Sequence, residues 1–279
     1  MPVQRRLTAI AVRARKGARF PVITAYDAAF ARFAEAAGID VLLVGDSLGN
    51  NVLGYDGTVP VELEDMQRHA AAVARGSKRA HLIVDLPFGS YQASDADAIR
   101  ASIALVKYGG AGSVKLEGGV AVAPRIAAIV SAGIPVVAHL GVLPQTAAIA
   151  TGFRRRSDRE ALLADGRAVE AAGAYAVVLE MVEPSVAADL TAELTIPTIG
   201  IGSGSACDGQ VLVLHDALGL YPEVPPFAKR YAELGAIATE ALRAYADDVR
   251  NGAFPSAGGA TVTSIPIGEG LASTKLPRV

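Results

Sequence analysis

The chain has 279 residues, of which 51% are hydrophobic and 19% are charged, and its formal net charge is -2. This near-neutral balance argues against a general nucleic-acid binder, which needs a basic surface. The apolar content argues against a disordered chain, and the length allows one large α/β domain or two smaller ones.

The N-terminal segment MPVQRRLTAIAVRARKGARF is basic but has no long apolar core, so it does not have the pattern of a secretory signal. Its periodicity predicts an amphipathic helix over Leu7–Ala14. No apolar run in the chain approaches the roughly 20 residues that span a bilayer, so we expect no membrane partner. A single cysteine, Cys207, permits no intrachain disulfide, and we expect a cytoplasmic protein.

Eight short apolar runs, rich in Val, Ile and Leu, predict β-strands. The runs are nearly continuous rather than alternating, which is typical of parallel strands covered on both faces. The predicted strands are Phe20–Thr24, Asp40–Gly45, His81–Asp85, Gly112–Glu117, Ile134–His139, Ala174–Glu180, Ile196–Ile201 and Val211–Asp216.

Alanine-rich stretches with helical periodicity lie between these runs, as in DAAFARFAEAAG and SDREALLADGRAVEAAG. Helix, glycine and strand recur in that order as a weak internal repeat, without a domain break. The predicted helix N-caps are Asp27, Ser94 and Ser157, and the predicted C-terminal stops are Gly38, Gly109 and Gly173.

Eight parallel strands with right-handed crossovers in about 250 residues predict a (β/α)8 TIM barrel. An open doubly wound sheet is the alternative, but no G-x-G-x-x-G fingerprint follows the first strand. We therefore predict a single catalytic domain over residues 1–255 that ends with a long helix. A flexible tail rich in Gly, Ser and Pro is predicted over residues 256–279.

Polar and ionisable residues stand at the carboxyl ends of the predicted strands, where barrels of this type carry their active sites. Unpaired buried charges are costly, so clustered carboxylates call for a partner such as a hard divalent cation. Asp46 and Asp85 are the candidate ligands, with Glu117 as a third or water-mediated one, because Mg²⁺ commonly takes one or two carboxylates plus waters and substrate oxygens. For any single aspartate, capping of the following loop is the alternative. The strand-end residues are Thr24, Asp46, Ser47, Asp85, Lys115, Glu117, His139, Glu180 and His215.

Lys115 and Glu117 are two residues apart on a strand and so point to the same face. This spacing suits a lysine that holds a substrate carboxylate beside the metal, although a plain surface ion pair is the alternative. His139 either takes part in the site or only forms hydrogen bonds at the barrel mouth. The glycine-dense segment Gly200–Gln210 either binds phosphate or allows a tight bend, and Cys207 is expected to be an inert thiol.

An ordered set of motifs resembles the ketopantoate hydroxymethyltransferase (3-methyl-2-oxobutanoate hydroxymethyltransferase) family. The motifs run from about Phe20 to Pro255, and although each is only moderately specific, the ordered set is highly specific. They are ITAYDAAFA, VLLVGDSLGN, VDLPFGSY, VKLEGG, VVAHLGVLPQ, VLEMV, IPTIGIGSGSACDGQVLVLHDALG and PPFAKRY.

The resemblance implies a Mg²⁺-dependent barrel enzyme. Its expected reaction transfers a hydroxymethyl group from 5,10-methylenetetrahydrofolate to 3-methyl-2-oxobutanoate and gives 2-dehydropantoate for pantothenate and coenzyme A synthesis. The resemblance also implies a homo-oligomer, typically a decamer.

Site roles follow from the same resemblance, motif by motif. Through VGDSLG, Asp46 would be a metal ligand and, with Ser47, a contact of the ketoacid. Through DLPF, Asp85 would be the other metal ligand and a substrate contact. Through VKLEGG, Lys115 would bind the ketoacid and Glu117 would bind or support the metal.

Through VLEMV, Glu180 would be the proton acceptor. The implied chemistry is removal of the proton alpha to the ketone by this base, with Mg²⁺ as the Lewis acid that stabilises the enolate. The enolate then attacks the folate-borne methylene carbon. Gly45 and Gly49 would let the substrate approach the backbone closely.

Two rival functions stay open. One is a Mg²⁺-dependent lyase of the phosphoenolpyruvate mutase/isocitrate lyase type, which often uses a cysteine in a mobile loop, whereas Cys207 lies in a different kind of segment. The other is a non-catalytic binding protein, which would not need a metal, a base and a carboxylate anchor together. The basic segment Gly152–Glu160 departs from the family pattern and either attracts a polyglutamyl folate or is an ordinary solvated loop.

Overall fold

Eight parallel strands form a closed barrel in the computed structural model, which describes residues 6–255. Neighbours in the barrel are neighbours in the chain, and the last strand pairs with the first. The predicted (β/α)8 barrel is thereby confirmed, and the open sheet is excluded. The strands are β1 Phe20–Thr24, β2 Val41–Val44, β3 His81–Asp85, β4 Ser113–Glu117, β5 Val136–Gly141, β6 Ala176–Glu180, β7 Thr198–Ile201 and β8 Gly209–Leu212.

Helices precede, connect and follow these strands, and the shorter links include 3₁₀ and π turns. The α-helices are α1 Ala9–Arg13, α2 Ala28–Ala36, α3 Leu63–Gly76, α4 Asp95–Lys107, α5 Ala123–Ser131, α6 Pro144–Thr146, α7 Arg159–Ala171, α8 Pro184–Glu193, α9 Leu214–Leu218 and α10 Leu234–Arg250. The 3₁₀ segment is Val120–Val122, and the π segments are Gly49–Leu53 and Ala147–Thr151.

Side-chain caps fix where several helices begin. Asp27 accepts from the amides of the first turn of α2, and Ser94 accepts from Asp97 N at the start of α4, as predicted. The start of α7 is capped by Asp158, one residue after the predicted Ser157. Because both residues are good N-caps, the sequence pattern alone does not choose between them.

The end of the barrel differs from the prediction of a strand over Val211–Asp216. β8 begins earlier, at Gly209, and ends at Leu212. The N–H of Leu214 donates to Thr24 Oγ1 at 2.8 Å, so this amide serves the start of α9 instead of a strand ladder. His215 consequently lies on a helix and is not a strand-end residue.

The core has two layers that share the same strands. Val41 and Leu43 belong to the apolar cluster that fills the barrel, whereas Leu42 and Val44 belong to the larger cluster between the strands and the outer helices. Both faces of β2, β3, β4 and β5 are buried, which explains why these strands are nearly continuous apolar runs, whereas Pro21 in β1 and Gln210 in β8 are exposed.

The chain divides into two compact units, residues 1–232 with the barrel and residues 233–279. The described part of the second unit contains α10, which has no buried side chain. A boundary at residue 255 stays a prediction, and the predicted tail, residues 256–279, lies outside the described residues. Within residues 6–255, no helix is long and apolar enough to cross a membrane.

Candidate active site

A cavity of about 250 Å³ lies at the carboxyl ends of the strands. Its apolar lining includes Leu43, Val178 and Val211 from the barrel interior. All six site residues predicted from the sequence also line it, so the fold brings them together in one place. They are Asp46, Ser47, Asp85, Lys115, Glu117 and Glu180.

Strand register places these side chains beside one another. Lys115 on β4 pairs in register with Asp85 on β3, and Glu117 pairs with His139 on β5. Since residues at the same level of neighbouring strands lie about 5 Å apart, an acid and a base on adjacent strands meet directly. Glu180 ends β6 at the level of Gly141 on β5, so it reaches the same cavity from the next strand.

The two glycines that frame Asp46 have different roles. A Cβ on Gly45 would lie 2.9 Å from Ser47 Oγ and 3.6 Å from Asp85 Oδ2, so this glycine permits close approach inside the site. At Gly49 the same space is filled by Gly57 and Val61, with Gly57 O at 2.8 Å. The close approach at Gly49 is therefore made by the protein's own loop.

The centre of the site is a buried charge cluster. Lys115 Nζ lies 3.0 Å from Asp85 Oδ2 and 3.2 Å from His139 Nδ1. Burial opposes the charge on Lys115, but Asp85, Glu117 and Asp46 together raise its pKa, so the ammonium stays charged. Three carboxylates therefore surround a single lysine.

This cluster is short of positive charge. Burial, followed by the charges of Asp85 and Glu117, raises the pKa of Asp46 to about 8, although Lys115 opposes this shift. Burial also raises the pKa of Asp85 despite its contact with Lys115. Among the described residues, Asp85 Oδ1 is a buried oxygen that has no hydrogen-bond partner. An unpaired carboxylate oxygen in a surplus of negative charge is what a bound cation would satisfy.

The number of direct protein ligands is small. Across residues 6–255, no group of three or more His, Cys, Asp or Glu side chains is arranged to hold a metal ion. Glu117 is engaged elsewhere, because its Oε2 accepts from Gln145 N at 3.1 Å and its Oε1 lies 3.5 Å from His139 Nδ1. Asp46 and Asp85 are adjacent, with Asp46 N 3.2 Å from Asp85 Oδ2. Two carboxylates fit Mg²⁺, and direct ligation by Glu117 stays a prediction.

His139 connects the charge cluster to Glu180. Its Nε2 lies 3.3 Å from Glu180 Oε2, close enough for charge attraction but without the alignment of a hydrogen bond. Burial and Lys115 lower the pKa of His139, but Glu117 and Glu180 outweigh them and raise it to about 9. The side chain of Glu180 is 18% exposed, against 3% for His139, so Glu180 is the group of this pair that faces the opening.

Three buried residues of the site were not predicted. They are Tyr26, Tyr91 and Gln145. Tyr26 OH lies 2.9 Å from Ser47 Oγ, and the side-chain amide of Gln145 donates to Asp46. Tyr91 OH donates to Gln145 and accepts from the backbone N–H of Glu117 at the end of β4. Gln145 follows its strand by four residues on the single turn of α6, where no periodicity in the sequence indicates that it folds back over the site.

Other candidate residues are buried, pack against neighbours or contact the backbone. Cys207 is buried, and burial raises the pKa of its thiol, as expected for an inert cysteine. In the glycine-dense segment, Gly202 packs against Phe227. In the basic segment, Arg155 donates to the carbonyls of Val182 and Gly202. A role for this segment in folate binding stays a prediction.

Comparison with known proteins agrees with the motifs. Residues 4–257 match the family model described as ketopantoate hydroxymethyltransferase. A protein of Carboxydothermus hydrogenoformans named 3-methyl-2-oxobutanoate hydroxymethyltransferase is 51% identical over 244 residues, covering 86% of this chain and 88% of the relative. A protein of the same name from Ignicoccus hospitalis is 48% identical over 248 residues, covering 88% of this chain and 94% of the relative. The range that the family model matches includes every residue that lines the cavity.

Solved structures of similar fold are much more distant in sequence. Phosphonopyruvate hydrolase in complex with oxalate and Mg²⁺ matches with a TM-score of 0.60 at 17% identity, covering 90% of this chain and 93% of that chain. At this identity the likeness shows the fold alone.

Proposed function

The chain belongs to the ketopantoate hydroxymethyltransferase family, and on that premise we propose that it transfers a hydroxymethyl group from 5,10-methylenetetrahydrofolate to 3-methyl-2-oxobutanoate. The product is 2-dehydropantoate, an intermediate of pantothenate synthesis. The observation that carries the proposal is the cavity itself, which combines an unpaired carboxylate oxygen of Asp85, the charged Lys115 and the accessible Glu180.

The cavity suits a small branched ketoacid. Lys115 lies within it as a buried cation that can pair with the substrate carboxylate, and charge-assisted hydrogen bonds are the stronger kind. Ser47 Oγ, which is held by Tyr26, offers a further hydrogen bond. The apolar side chains of Leu43 and Val178 form a hydrophobic surface against which the isopropyl group would pack. The charged end and the branched end of the substrate would thus meet different parts of the lining.

Asp46 and Asp85 are the residues that would hold Mg²⁺, with Glu117 as a direct or water-mediated support. The chemistry that bound Mg²⁺ would supply is Lewis-acid stabilisation of the negative charge that develops on the keto oxygen. A (β/α)8 barrel of similar fold is known with Mg²⁺ and oxalate bound.

Glu180 is the proposed general base. Its carboxylate faces the cavity, and we propose that it takes the proton from C3 of the ketoacid. His139 is buried more deeply than Glu180, and its Nε2 lies 3.3 Å from Glu180 Oε2. Charge attraction between the two groups favours a Glu180 carboxylate that stays beside the imidazole.

The folate enters as a second substrate. A C–C bond forms between C3 of the ketoacid and the one-carbon unit, and the C–N bonds that hold this unit to the folate break. Water supplies the new hydroxyl group. Its remaining proton and the proton taken by Glu180 end on the two nitrogens of the released tetrahydrofolate. A homo-oligomer, typically decameric in the family, and a cytoplasmic location stay predictions, of which sedimentation analysis tests the first.

An assay for 2-dehydropantoate tests the proposed function. Purified protein should form this product only when 3-methyl-2-oxobutanoate, 5,10-methylenetetrahydrofolate and Mg²⁺ are all present, and EDTA should stop the reaction. Cleavage of phosphonopyruvate or 2-methylisocitrate instead would favour the lyase. Ketoacid binding without turnover with any folate would favour a binding protein.

A further inference from the structure

Gln145 is a buried polar residue of the site to which the proposed chemistry gives no role. It is 1% exposed and lies on α6, just after β5. Its Nε2 donates to Asp46 Oδ2 at 2.8 Å and to Leu86 O at 3.0 Å. Its Oε1 accepts from Tyr91 OH at 2.8 Å, and its backbone N–H donates to Glu117 Oε2 at 3.1 Å. Every polar group of this side chain is therefore used.

The contacts allow only one orientation of the amide. A backbone carbonyl such as Leu86 O can only accept, so it must face the NH₂ group of Gln145. Tyr91 OH accepts from Glu117 N at 3.3 Å, and for its own proton Gln145 Oε1, at 2.8 Å, is a nearer acceptor than Glu117 O, at 3.4 Å. A rotation by 180° would place an oxygen against both Leu86 O and Asp46 Oδ2, so Gln145 is locked as a donor to Asp46.

The hydrogen bonds of Gln145 connect the ends of three strands. Asp46 follows β2, Leu86 follows β3, and Glu117 ends β4, and a single glutamine contacts all three. The hydrogen bond from Gln145 Nε2 to Asp46 Oδ2 restricts rotation of the Asp46 carboxylate and so fixes its orientation.

We propose that Gln145 is a positioning residue that sets the affinity of the site for a divalent cation by holding Asp46 through its amide N–H. The inference rests on the proposed function insofar as Asp46 is taken as a metal ligand. Residues that orient a metal ligand typically change metal affinity by 10–100-fold when they are replaced.

The test measures metal binding directly, with neither substrate present. Mn²⁺, which takes the oxygen ligands that Mg²⁺ takes, is titrated into the parent protein and into Gln145→Met, and binding is followed by water-proton relaxation. Methionine keeps the length of the side chain and removes the amide. We expect Kd for Mn²⁺ to rise about 10–100-fold, with a thermal unfolding midpoint that shows a folded protein.

Gln92→Met is the matched control. Gln92 Nε2 contacts the acceptor end of the same amide at 3.3 Å, so this change leaves the bond from Gln145 to Asp46 in place. We expect its Kd for Mn²⁺ to stay within about threefold of the parent, since a long contact at the far end adds little. If Gln145→Met does not fold, Gln145→Asn carries the test, because its amide is one methylene too short to reach Asp46 and should weaken Mn²⁺ binding by the same factor.

The outcomes separate this inference from the proposed function. Parent-like Mn²⁺ affinity in the folded Gln145 variant overturns the positioning role and leaves the reaction standing. A parent protein that binds no Mn²⁺ overturns the metal role in the proposed function and this inference with it. In turnover, the Mg²⁺ concentration at half-maximal rate should rise in Gln145→Met while the KM for the folate stays unchanged, a split that general loosening of the structure would not give.

Discussion

The two ends of the barrel place carboxylates in opposite environments. At the amino end, Glu35 accepts from the amides of Lys78 and Arg79, both at 2.8 Å. Burial opposes its charge, but these amides and Ser77 Oγ outweigh it and lower the pKa of Glu35 to about 2. At the carboxyl end, burial and like charges raise the pKa of Asp46 to about 8.

Further groups at the amino end are also satisfied. Asp208 accepts from Gly17 N and Thr198 N, both at 2.8 Å, and lies 3.2 Å from Lys16 Nζ. Although burial opposes its charge, these partners lower the pKa of Asp208. Glu35 and Asp208 each have several donors, which stabilises the fold. Asp46 and Asp85, at the other end, lack compensating positive charge, which suits a ligand-binding site. How fully a carboxylate is paired therefore distinguishes structural acidic groups from those of the candidate site, even where the residue type is the same.

Glu180→Gln should give the largest effect, because it removes the proposed base and preserves the shape of the side chain. Exchange of the C3 proton of 3-methyl-2-oxobutanoate into deuterium oxide, followed by NMR in the presence of Mg²⁺, should slow by roughly 10²–10⁴-fold. Ketoacid binding should persist. Exchange at the parent rate with binding intact would remove Glu180 from the mechanism.

Lys115→Met should act on substrate affinity. The change removes the buried cation, and a charge-assisted hydrogen bond of about 1.5–3 kcal/mol is lost. The KM for the ketoacid should therefore rise by about one to two orders of magnitude, while the KM for the folate changes little. Equal increases for both substrates would indicate a general structural role for Lys115 instead.

Glu35→Gln should lower the free energy of unfolding by about 2 kcal/mol near neutral pH. This value allows for the partial exposure of the Glu35 side chain. The folded pKa of about 2 is below the unfolded value. The contribution of Glu35 to the free energy of unfolding is therefore fully present above about pH 5 and is lost as the pH falls toward 2. Urea unfolding of the parent and variant at pH 7 and pH 3 should show a difference that shrinks in acid. A difference independent of pH would contradict this account.

Ser113→Ala should give the smallest effect. Ser113 Oγ and Tyr175 OH both lie near His81 Nε2, at 2.9 and 3.0 Å, so the tyrosine can still serve the histidine when the serine hydroxyl is removed. We expect a loss of about 1 kcal/mol in the free energy of unfolding, and no change in kcat or KM. A change in catalysis would mean that the two ends of the barrel are coupled.

Much of the fold could be predicted from sequence because barrel strands have a strong local signature. The bounds of β1 and β3 agree with the prediction at both ends, since these mostly buried apolar runs stop where the chain turns. β8 was misplaced because the run VLVLHD continues past the strand into α9, and only the contact of Leu214 N with Thr24 shows where the ladder ends.

The site was predictable to the extent that topology creates it. Parallel strands bring their carboxyl ends to one rim, so Asp46, Asp85 and Lys115 had to meet once the barrel was correct. Gln145 was not predictable, since its position depends on how a loop folds back across three strand ends. Contacts made by loops of this kind have no period in the sequence.

Calorimetric titration of 3-methyl-2-oxobutanoate tests the central claim most directly, that Asp46 and Asp85 form a cation-dependent binding site. The titration is done with Mg²⁺ and with EDTA, on the parent and on Asp46→Ala and Asp85→Ala. The account predicts binding only to the parent and only with Mg²⁺, because each variant removes one of two adjacent carboxylates. Equal binding to the parent in EDTA, or parent-like binding to either variant with Mg²⁺, would contradict it.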